Sequence, residues 1–246
     1  MYFAFNHDRP AFRGPGQIPL KQAINWAIDR PALVSAAGHR AGIPTDQILP
    51  AGLGRDESIY PLGRVTGRSL AKARQLLAKA GLKPAKLVLY ANDCCAAAAE
   101  IFKFDMKQLG IDVDIRYFST DVLLAKASRR GEPFDVVLTI WGLDYPDAVT
   151  FFEPLIDGTT IRHTGNTNVA HFDRPKYNRE IQRISQLTGE ARLDAWSGLD
   201  VALMRDDPPF APVMNFNVRD LVSKSFGCYV FQPVITRVDL VAACKR

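Results

Sequence analysis

A regular alternation of helical and strand patterns in the centre of the chain constrains the fold most. Helical patterns lie at 69–81, 98–110 and 120–129. Strand patterns lie at 86–90, 111–117 and 134–140. The first two helices each end at a glycine, Gly81 and Gly110, the residue favoured just beyond a helix C-terminus. Alternation of this kind is typical of βαβ units, so the sequence predicts an α/β fold with a mostly parallel sheet flanked by helices.

The regions on either side of this centre are less regular. A short strand is predicted at 2–5, and a helix is predicted from Pro19, a residue favoured in the first helical turn. Prolines and glycines across 41–68 predict a long irregular surface segment. Beyond residue 147, apolar stripes predict three further helices. Short strands are then predicted at 211–218, 220–222 and 227–231.

The candidate site follows the apolar strand 134–140, whose β-branched run indicates burial on both faces. Ligands of open α/β sheets bind beyond the carboxyl ends of the strands, where Trp141, Asp144 and Tyr145 would lie. An aromatic wall beside one anionic group suits a small ligand with a positive charge. The alternative is a capped strand end, with Trp141 in the core and Asp144 capping the helix after Pro146.

Composition narrows the possible partners. The chain has 246 residues with 47% hydrophobic and 23% charged residues and a net charge of +5, ordinary values for a globular protein. Without a basic stripe or an RNA-binding motif, no nucleic-acid partner is expected. No apolar run approaches the roughly 20 residues that cross a bilayer. The histidines are widely spaced, so neither a metal nor another cofactor is expected.

The four cysteines leave their pairing open. Cys94 and Cys95 are adjacent, and strain disfavours a disulfide between neighbours. Cys228 and Cys244 are either free, or one of them bridges to the Cys94–Cys95 pair. Catalytic motifs are absent as well, since the chain has neither a G-x-S-x-G elbow, a P-loop nor a G-x-G-x-x-G fingerprint. The sequence therefore predicts a protein that binds rather than catalyses.

Several stretches together resemble one protein family. Leu20-Lys-Gln-Ala-Ile-Asn-Trp-Ala-Ile-Asp-Arg30 is similar to the "RQAINYAIDR" helix of the family 5 extracellular solute-binding proteins, the peptide/nickel-type binding components of bacterial ABC importers. Further similar landmarks follow in the same order: Gly42-Ile-Pro, Tyr60-Pro61, Ala71 to Gly81, Trp141-Gly-Leu-Asp-Tyr-Pro-Asp147 and Asn166-Thr-Asn168. The chain resembles the C-terminal half of such a protein.

This resemblance implies one lobe of a type II periplasmic-binding-protein fold, in which two lobes enclose the ligand. Residues 1–15 would be an incoming strand and linker from the missing N-terminal lobe, 16–208 the C-terminal α/β lobe, and 209–246 the segment that returns to the first lobe. The terminal strands would belong to the other lobe, so their apolar side chains should lack partners here. These side chains are Phe3, Phe5, Phe216, Val218, Val230 and Phe231.

The resemblance also implies a function. In peptide-binding relatives the aspartate at the position of Asp144 pairs with the ligand's α-ammonium, and the residue at the position of Trp141 forms an aromatic wall. The expected partners are a peptide or other small cationic solute and the permease and ATPase subunits of an ABC importer. The full protein would be periplasmic or bound to the cell envelope, although the first residues lack the pattern of a secretory signal.

Three departures from the family and two alternatives accompany this interpretation. Leu143 and Ala148 differ from the family pattern, which usually has a proline near 148. Strand 134–140 has no basic residue, which leaves the carboxylate of a short peptide without a counter-charge there. The same fold also serves as the effector-binding domain of transcription regulators, which requires a DNA-binding partner region. A small α/β enzyme using Asp144 is the third hypothesis, and it lacks a nucleophile or cofactor motif.

Overall fold

Five strands form the central sheet in a computed structural model of the chain, which describes all residues except 51, 55–59, 61–67, 82–85 and 233–236. The described strands are β1 (Tyr2–Phe5), β2 (Gly42–Pro44), β3 (Lys86–Asn92), β4 (Asp112–Phe118), β5 (Val136–Thr139), β6 (Phe210–Pro212), β7 (Met214–Phe216), β8 (Phe226–Gly227), β9 (Phe231–Gln232), β10 (Arg237–Val238) and β11 (Cys244–Lys245). The described helices are α1 (Ile18–Ala27), α2 (Arg30–Ala36), α3 (Leu70–Ala80), α4 (Ala96–Lys107), α5 (Thr120–Ala127), α6 (Val149–Ile156), α7 (Pro175–Ser185) and α8 (Gly189–Asp206).

The sheet is mixed, with the order β4-β3-β5-β1-β6. β3 pairs in parallel with β4 on one side and with β5 on the other, as βαβ connections require. β1 lies antiparallel between β5 and β6, with Tyr2 opposite both Thr139 and Pro212. The predicted α/β class and the three predicted parallel strands are therefore confirmed.

Helices cover both faces of the sheet. On one face α1, α3 and α4 bury a core of aliphatic and aromatic side chains. Its largest members are Phe3, Phe5, Phe12, Leu20, Ile24, Leu89 and Phe102. On the other face α5 to α8 bury a second core. Its members include Tyr90, Phe134, Phe152, Leu155, Phe172, Trp196 and Phe210. Alternate residues of β1, β3 and β5 enter opposite cores, the period-two pattern that makes Val136, Val137 and Leu138 all apolar.

Local signals set the helix ends where the sequence predicts them. The Ser69 hydroxyl accepts a hydrogen bond from the backbone N–H of Lys72, which caps α3. Gly81 follows α3 with φ +62°, a left-handed conformation that glycine adopts without steric cost. Helix α2, which the sequence analysis missed, begins after Asp29, whose side chain accepts the N–H of Ala32.

The strand predicted at 2–5 is confirmed as β1, but the expectation that its apolar side chains lack partners is wrong. Phe3 and Phe5 are fully buried, and Phe3 stacks on Phe102 with ring centroids 4.3 Å apart. β1 occupies an interior position of the sheet, where both edges are paired and both faces are covered. Its apolar side chains therefore have their partners within this chain. The assignment of residues 1–15 to an incoming connection stays a prediction.

The described part of 41–68 is not a surface segment. Ile48, Leu49 and Tyr60 are buried, and the backbone N–H groups of Ile48 and Leu49 donate to the carboxylate of Asp200 at 3.0 Å each. β2 pairs with β7, so this region is fixed to the body of the protein. The remainder of the predicted segment, Pro61 included, lies outside the described residues.

Residues 219–246, which we term the C-terminal hairpin, differ from the body. β8 pairs with β11, and β9 pairs with β10 inside them, both antiparallel. A disulfide joins Cys228 to Cys244, which corrects the expectation that each is free or bridges to the Cys94–Cys95 pair. The strand predicted at 220–222 is absent, since these described residues form no ladder.

Candidate functional site

The parallel strands all end at one edge of the sheet. β3, β4 and β5 point the same way, and β6 shares their direction because both β5 and β6 are antiparallel to β1. The carboxyl ends of four strands and the start of β1 therefore meet at this edge, which we term the carboxyl edge. In open α/β sheets this is the edge that carries ligand sites.

A cavity of about 50 Å³ opens at the carboxyl edge. Its apolar wall is formed by Met1, Tyr2, Ile48, Trp141, Phe151, Leu155, Phe210, Pro212 and Met214. Its polar lining comes from Thr45, Gln47 and Asn215. Sites that enclose a ligand usually measure about 300–1,000 Å³, so this cavity can receive one small group and not a whole solute.

Trp141 is held on the cavity wall by a defined hydrogen bond. Its indole N–H donates to the carbonyl oxygen of Thr150 at 2.8 Å, and its half-buried ring packs against the core formed by α5 to α8. The Thr150 hydroxyl in turn donates to the carbonyl of Asp147 at 2.9 Å. The strand-end segment thus folds back on the start of α6, which fixes the orientation of the indole.

Asp147 anchors the same segment to the helical layer. Its carboxylate accepts two hydrogen bonds from Arg192, each at 2.9 Å, and a third from the backbone N–H of Val149 at 2.8 Å. Burial raises the pKa of Asp147, but the hydrogen bonds from Arg192 and Val149 outweigh it and lower the pKa below its usual value. The third donor nitrogen of Arg192 contacts the last carbonyls of α7, so one guanidinium joins α7, α8 and the strand end.

Asp144, unlike Asp147, does not anchor the strand-end segment to the helical layer. It is exposed, and within the described residues its carboxylate has neither an ion pair nor a hydrogen bond. Asp147, and not Asp144, binds the first turn of α6, so the alternative in which Asp144 caps that helix is wrong. Asp144 is thus an exposed carboxyl group at the carboxyl edge with its hydrogen-bonding capacity unused.

The structure separates the three sequence-predicted residues. Trp141 lines the cavity, whereas neither Asp144 nor Tyr145 does, and the Tyr145 side chain is 52% exposed. The sequence analysis missed Tyr2 and Phe210, whose rings lie 4.7 Å apart beside the cavity. Both occupy strand positions with ordinary apolar patterns, and only the pairing of β1 between β5 and β6 brings them to Trp141.

A buried charged cluster lies at the opposite edge of the sheet. The Lys21 ammonium is fully buried, pairs with Asp207 and lies 3.1 Å from Nε2 of His7. Burial lowers the pKa of Lys21 to about 8, and Asp207 opposes that shift. Arg174 also donates to Asp207 at 2.8 Å. The ion pairs of Asp207 with Lys21 and Arg174 tie α1 to the approach of β6, while Nη2 of Arg174 is buried without a hydrogen-bond partner.

Other candidate features are structural. The amide of Asn168 closes a local turn with Phe172, and that of Asn166 closes one with Arg162 and also donates to the carbonyl of Ser128. Across the described ranges, no group of three or more His, Cys, Asp or Glu side chains is arranged to hold a metal ion. The described helices include none with the length and apolar character to cross a membrane.

Comparison with known proteins identifies a family. The model of the bacterial extracellular solute-binding proteins, family 5 middle region, matches residues 1–162. Heme-binding protein A of Haemophilus influenzae is 25% identical over 95% of the chain and 44% of its own length. The peptide transport periplasmic protein SapA of the same organism is 22% identical over 91% of the chain and 39% of its own length.

Solved structures show the same fold. The clavulanic acid biosynthesis oligopeptide binding protein 2 superposes with a TM-score of 0.86 at 22% identity, covering 99% of this chain and 46% of its own. The oligopeptide-binding protein AppA from Bacillus subtilis, solved with a nonapeptide, gives 0.81 at 15% identity and covers 100% of this chain and 50% of its own. The chain thus spans about half the length of the proteins that it matches.

Proposed function

The chain belongs to the bacterial extracellular solute-binding proteins of family 5, and from that membership we propose that it forms one half of a two-lobed receptor for a bacterial ABC importer. The receptor encloses a peptide or a similar cationic solute between its lobes and delivers it to a membrane permease powered by an ATPase. It works in the periplasm or at the cell envelope. Residues 16–208 are the lobe itself, and 209–246 return toward the other lobe.

The observation that carries this proposal is the free carboxylate of Asp144 beside the fixed indole of Trp141. Asp147 already anchors this segment to the helical layer, because its carboxylate accepts two hydrogen bonds from Arg192. Asp144 is left unpaired at the edge where ligands of such sheets bind. A ligand ammonium that loses water between two lobes would gain a charge-assisted hydrogen bond there.

The size of the cavity supports a receptor in two halves. About 50 Å³ accommodates one side chain of a ligand, so the remaining enclosure comes from the opposite lobe. Trp141, Tyr2 and Phe210 supply apolar contact area for that side chain, while Asp144 stands outside the cavity wall for the charged end. The two features together suit a solute with one cationic and one apolar group.

The test compares Asp144→Asn with the unmutated receptor in its two-lobed form, by titration calorimetry with peptides and their N-acetylated counterparts. Asn is nearly isosteric, so the fold is retained while the charge is lost. Binding of free peptides should weaken by about 2–5 kcal/mol, because the ammonium is left desolvated without a counter-ion. Binding of acetylated peptides should change little.

Asp147→Asn is the matched control, since it removes a carboxylate three residues away that serves the fold. It breaks the paired hydrogen bonds from Arg192 and should lower the free energy of unfolding by about 1.5–3 kcal/mol. Its preference for free over acetylated peptides should persist. Equal binding of free and acetylated peptides by the unmutated receptor would remove Asp144 from the anchoring role.

Trp141→Ala separates apolar contact from charge. It removes aromatic area from the cavity wall and one hydrogen bond to Thr150, so both free and acetylated peptides should bind more weakly by a similar factor. A loss confined to free peptides would contradict the division of roles between Trp141 and Asp144.

A further inference from the structure

Two adjacent cysteines hold their sulfur atoms together at the start of α4. Cys94 is exposed and Cys95 is half-buried, and their Sγ atoms lie 3.3 Å apart without a bond between them. Neighbouring residues in a helix point about 100° apart, so such convergence is not the default. The pair follows the end of β3, which lies at the carboxyl edge because β3 runs parallel to β5, with Leu89 opposite Val136 and Tyr90 opposite Val137.

A local cap fixes the turn that carries the two thiols. The side-chain oxygen of Asn92 accepts the backbone N–H of Cys94 at 2.9 Å, and its amide donates to the Thr120 hydroxyl. Asp93–Cys95 then forms a single 3-10 turn that continues into α4. The convergence of the sulfur atoms is therefore set by an ordered backbone anchored to a neighbouring helix.

The geometry also disfavours a disulfide between the two. Residues joined by a trans peptide bond have Cα atoms about 3.8 Å apart, whereas the Cα atoms of disulfides usually lie about 4.4–6.8 Å apart, so a bond here would be strained. No cis peptide bond occurs among the described residues. Cys228 and Cys244, with Cα atoms 5.3 Å apart, meet the requirement and are oxidised. The distance between the Cα atoms thus accounts both for the disulfide of Cys228 and Cys244 and for the free thiols of Cys94 and Cys95.

We propose that Cys94 and Cys95 form a chelating site for a pyramidal, three-coordinate thiophilic centre, the class represented by trivalent organoarsenicals. An atom bonded to both sulfurs at about 2.3 Å, the typical metal–thiolate distance, would subtend an S–M–S angle of about 90° at the observed separation. That angle fits a pyramidal centre with a lone pair. Tetrahedral zinc would require a wider separation and two further ligands.

The chemistry needs no oxidant and no third protein ligand. An arylarsonous acid, the hydrated form of phenylarsine oxide, exchanges its two hydroxyls for two thiolates. Two As–O bonds and two S–H bonds break, two As–S bonds form, and each hydroxyl leaves as water with a thiol proton. Burial raises the pKa of Cys95 to about 11, so the thiol is protonated at neutral pH and supplies that proton. The aryl group fills the third position.

The experiment treats the intact, unreduced chain with phenylarsine oxide and measures the product by native mass spectrometry and by titration of free thiols. One adduct per chain and the loss of both titratable thiols are expected. An excess of monothiol should leave the adduct in place, and a dithiol should remove it, because chelation gives the second bond a high effective concentration.

Variants distinguish the chelate from ordinary thiol reactivity. Cys94→Ser and Cys95→Ser each leave one thiol and should lower the apparent affinity at least about 100-fold. The double variant Cys228→Ser, Cys244→Ser removes the disulfide and should keep the one-to-one adduct. Two arsenicals per chain, undiminished binding by either single variant, or the absence of free thiols in the untreated chain would each overturn the proposal. The stoichiometry of the unmutated chain decides the matter even where a variant does not fold.

Discussion

The central sheet and the C-terminal hairpin are both built from paired strands, yet they differ in how they treat apolar side chains. Phe3 in β1 is 0% exposed between two helical layers, whereas Leu221 and Val241 in the hairpin are 100% and 97% exposed. The hydrogen bonds of residues 219–246 that the structure describes join members of that same segment, such as Tyr229 to Asp220. Strand pairing alone therefore does not provide a core.

The difference follows from what covers each face. The sheet has helices on both sides and pairs its interior strands on both edges, so burial and hydrogen bonding reinforce each other. A two-stranded ribbon has neither covering helices nor strands paired on both edges, and it is marginally stable in water without a further constraint. In the hairpin the disulfide between Cys228 and Cys244 supplies that constraint. Apolar side chains such as Leu221 and Val241 nevertheless stay exposed among the described residues.

The largest expected effect separates the two regions by stability. Phe3→Ala should lower the free energy of unfolding by about 3–5 kcal/mol, because it removes a fully buried ring that stacks on Phe102. Leu221→Ser, at a fully exposed position, should change it by less than about 0.5 kcal/mol. Urea unfolding followed by circular dichroism measures both. Similar losses for the two variants would contradict the division into body and hairpin.

A smaller effect tests how the body fixes its loops. Burial raises the pKa of Asp200 to about 7, although the hydrogen bonds from Leu49 and Ile48 oppose the shift. In the unfolded chain the pKa is about 3.9, so between about pH 4 and 7 the folded state binds the extra proton. Stability should therefore fall as pH rises through this window, by at most about 1.4 kcal/mol per unit.

Asp200→Asn should flatten that dependence, which urea unfolding at several pH values would measure. Leu221→Ser removes no ionisable group and serves as the control with an unchanged slope. Working above pH 4 avoids Asp147, whose lowered pKa makes its stabilising pairing with Arg192 fail only in more acidic solution. Burial also raises the pKa of Asp105 to about 6, so part of the slope should remain in Asp200→Asn, and equal slopes with and without the substitution would contradict the role of Asp200.

The smallest expected effect concerns the disulfide. Replacing Cys228 and Cys244 by serine should change the free energy of unfolding of the body by less than about 0.5 kcal/mol. The reason is that the described hydrogen bonds of the hairpin join its own residues. Amide exchange in β8 to β11 should nevertheless become faster, since the ribbon loses its covalent closure. Hydrogen-exchange mass spectrometry reports both regions in one experiment. A loss of global stability above about 2 kcal/mol would show that hairpin and body unfold together.

Local patterns predicted most of the secondary structure because they reflect single-element physics. The cap at Ser69, the glycine at Gly81 and the apolar run of β5 each act within a few residues, and each appears in the structure as expected. The same reasoning failed for part of 41–68, where proline and glycine indicated a surface loop. Asp200, far along the chain, accepts the backbone N–H groups of Ile48 and Leu49, and both residues are buried.

For the candidate site, the sequence predicted where to look and not which residues meet. The Trp141–Asp147 segment lies at the carboxyl edge as expected, since a strand pattern followed by turn residues marks a strand end. The distinction between Asp144 and Asp147 was not readable, because two carboxylates three residues apart look alike until Arg192 pairs with one of them. The contribution of Tyr2 and Phe210 depended likewise on strand order.

By itself, then, the sequence determined the α/β class, the succession of helices and strands and the family resemblance, because periodicity and motifs are carried by neighbouring residues. Tertiary structure alone decided that β1 enters the sheet between β5 and β6, that Cys228 pairs with Cys244, and that Asp144 is left unpaired. Each of these depends on which distant segments come into contact. Such contacts follow from the packing of whole layers, which no local pattern specifies.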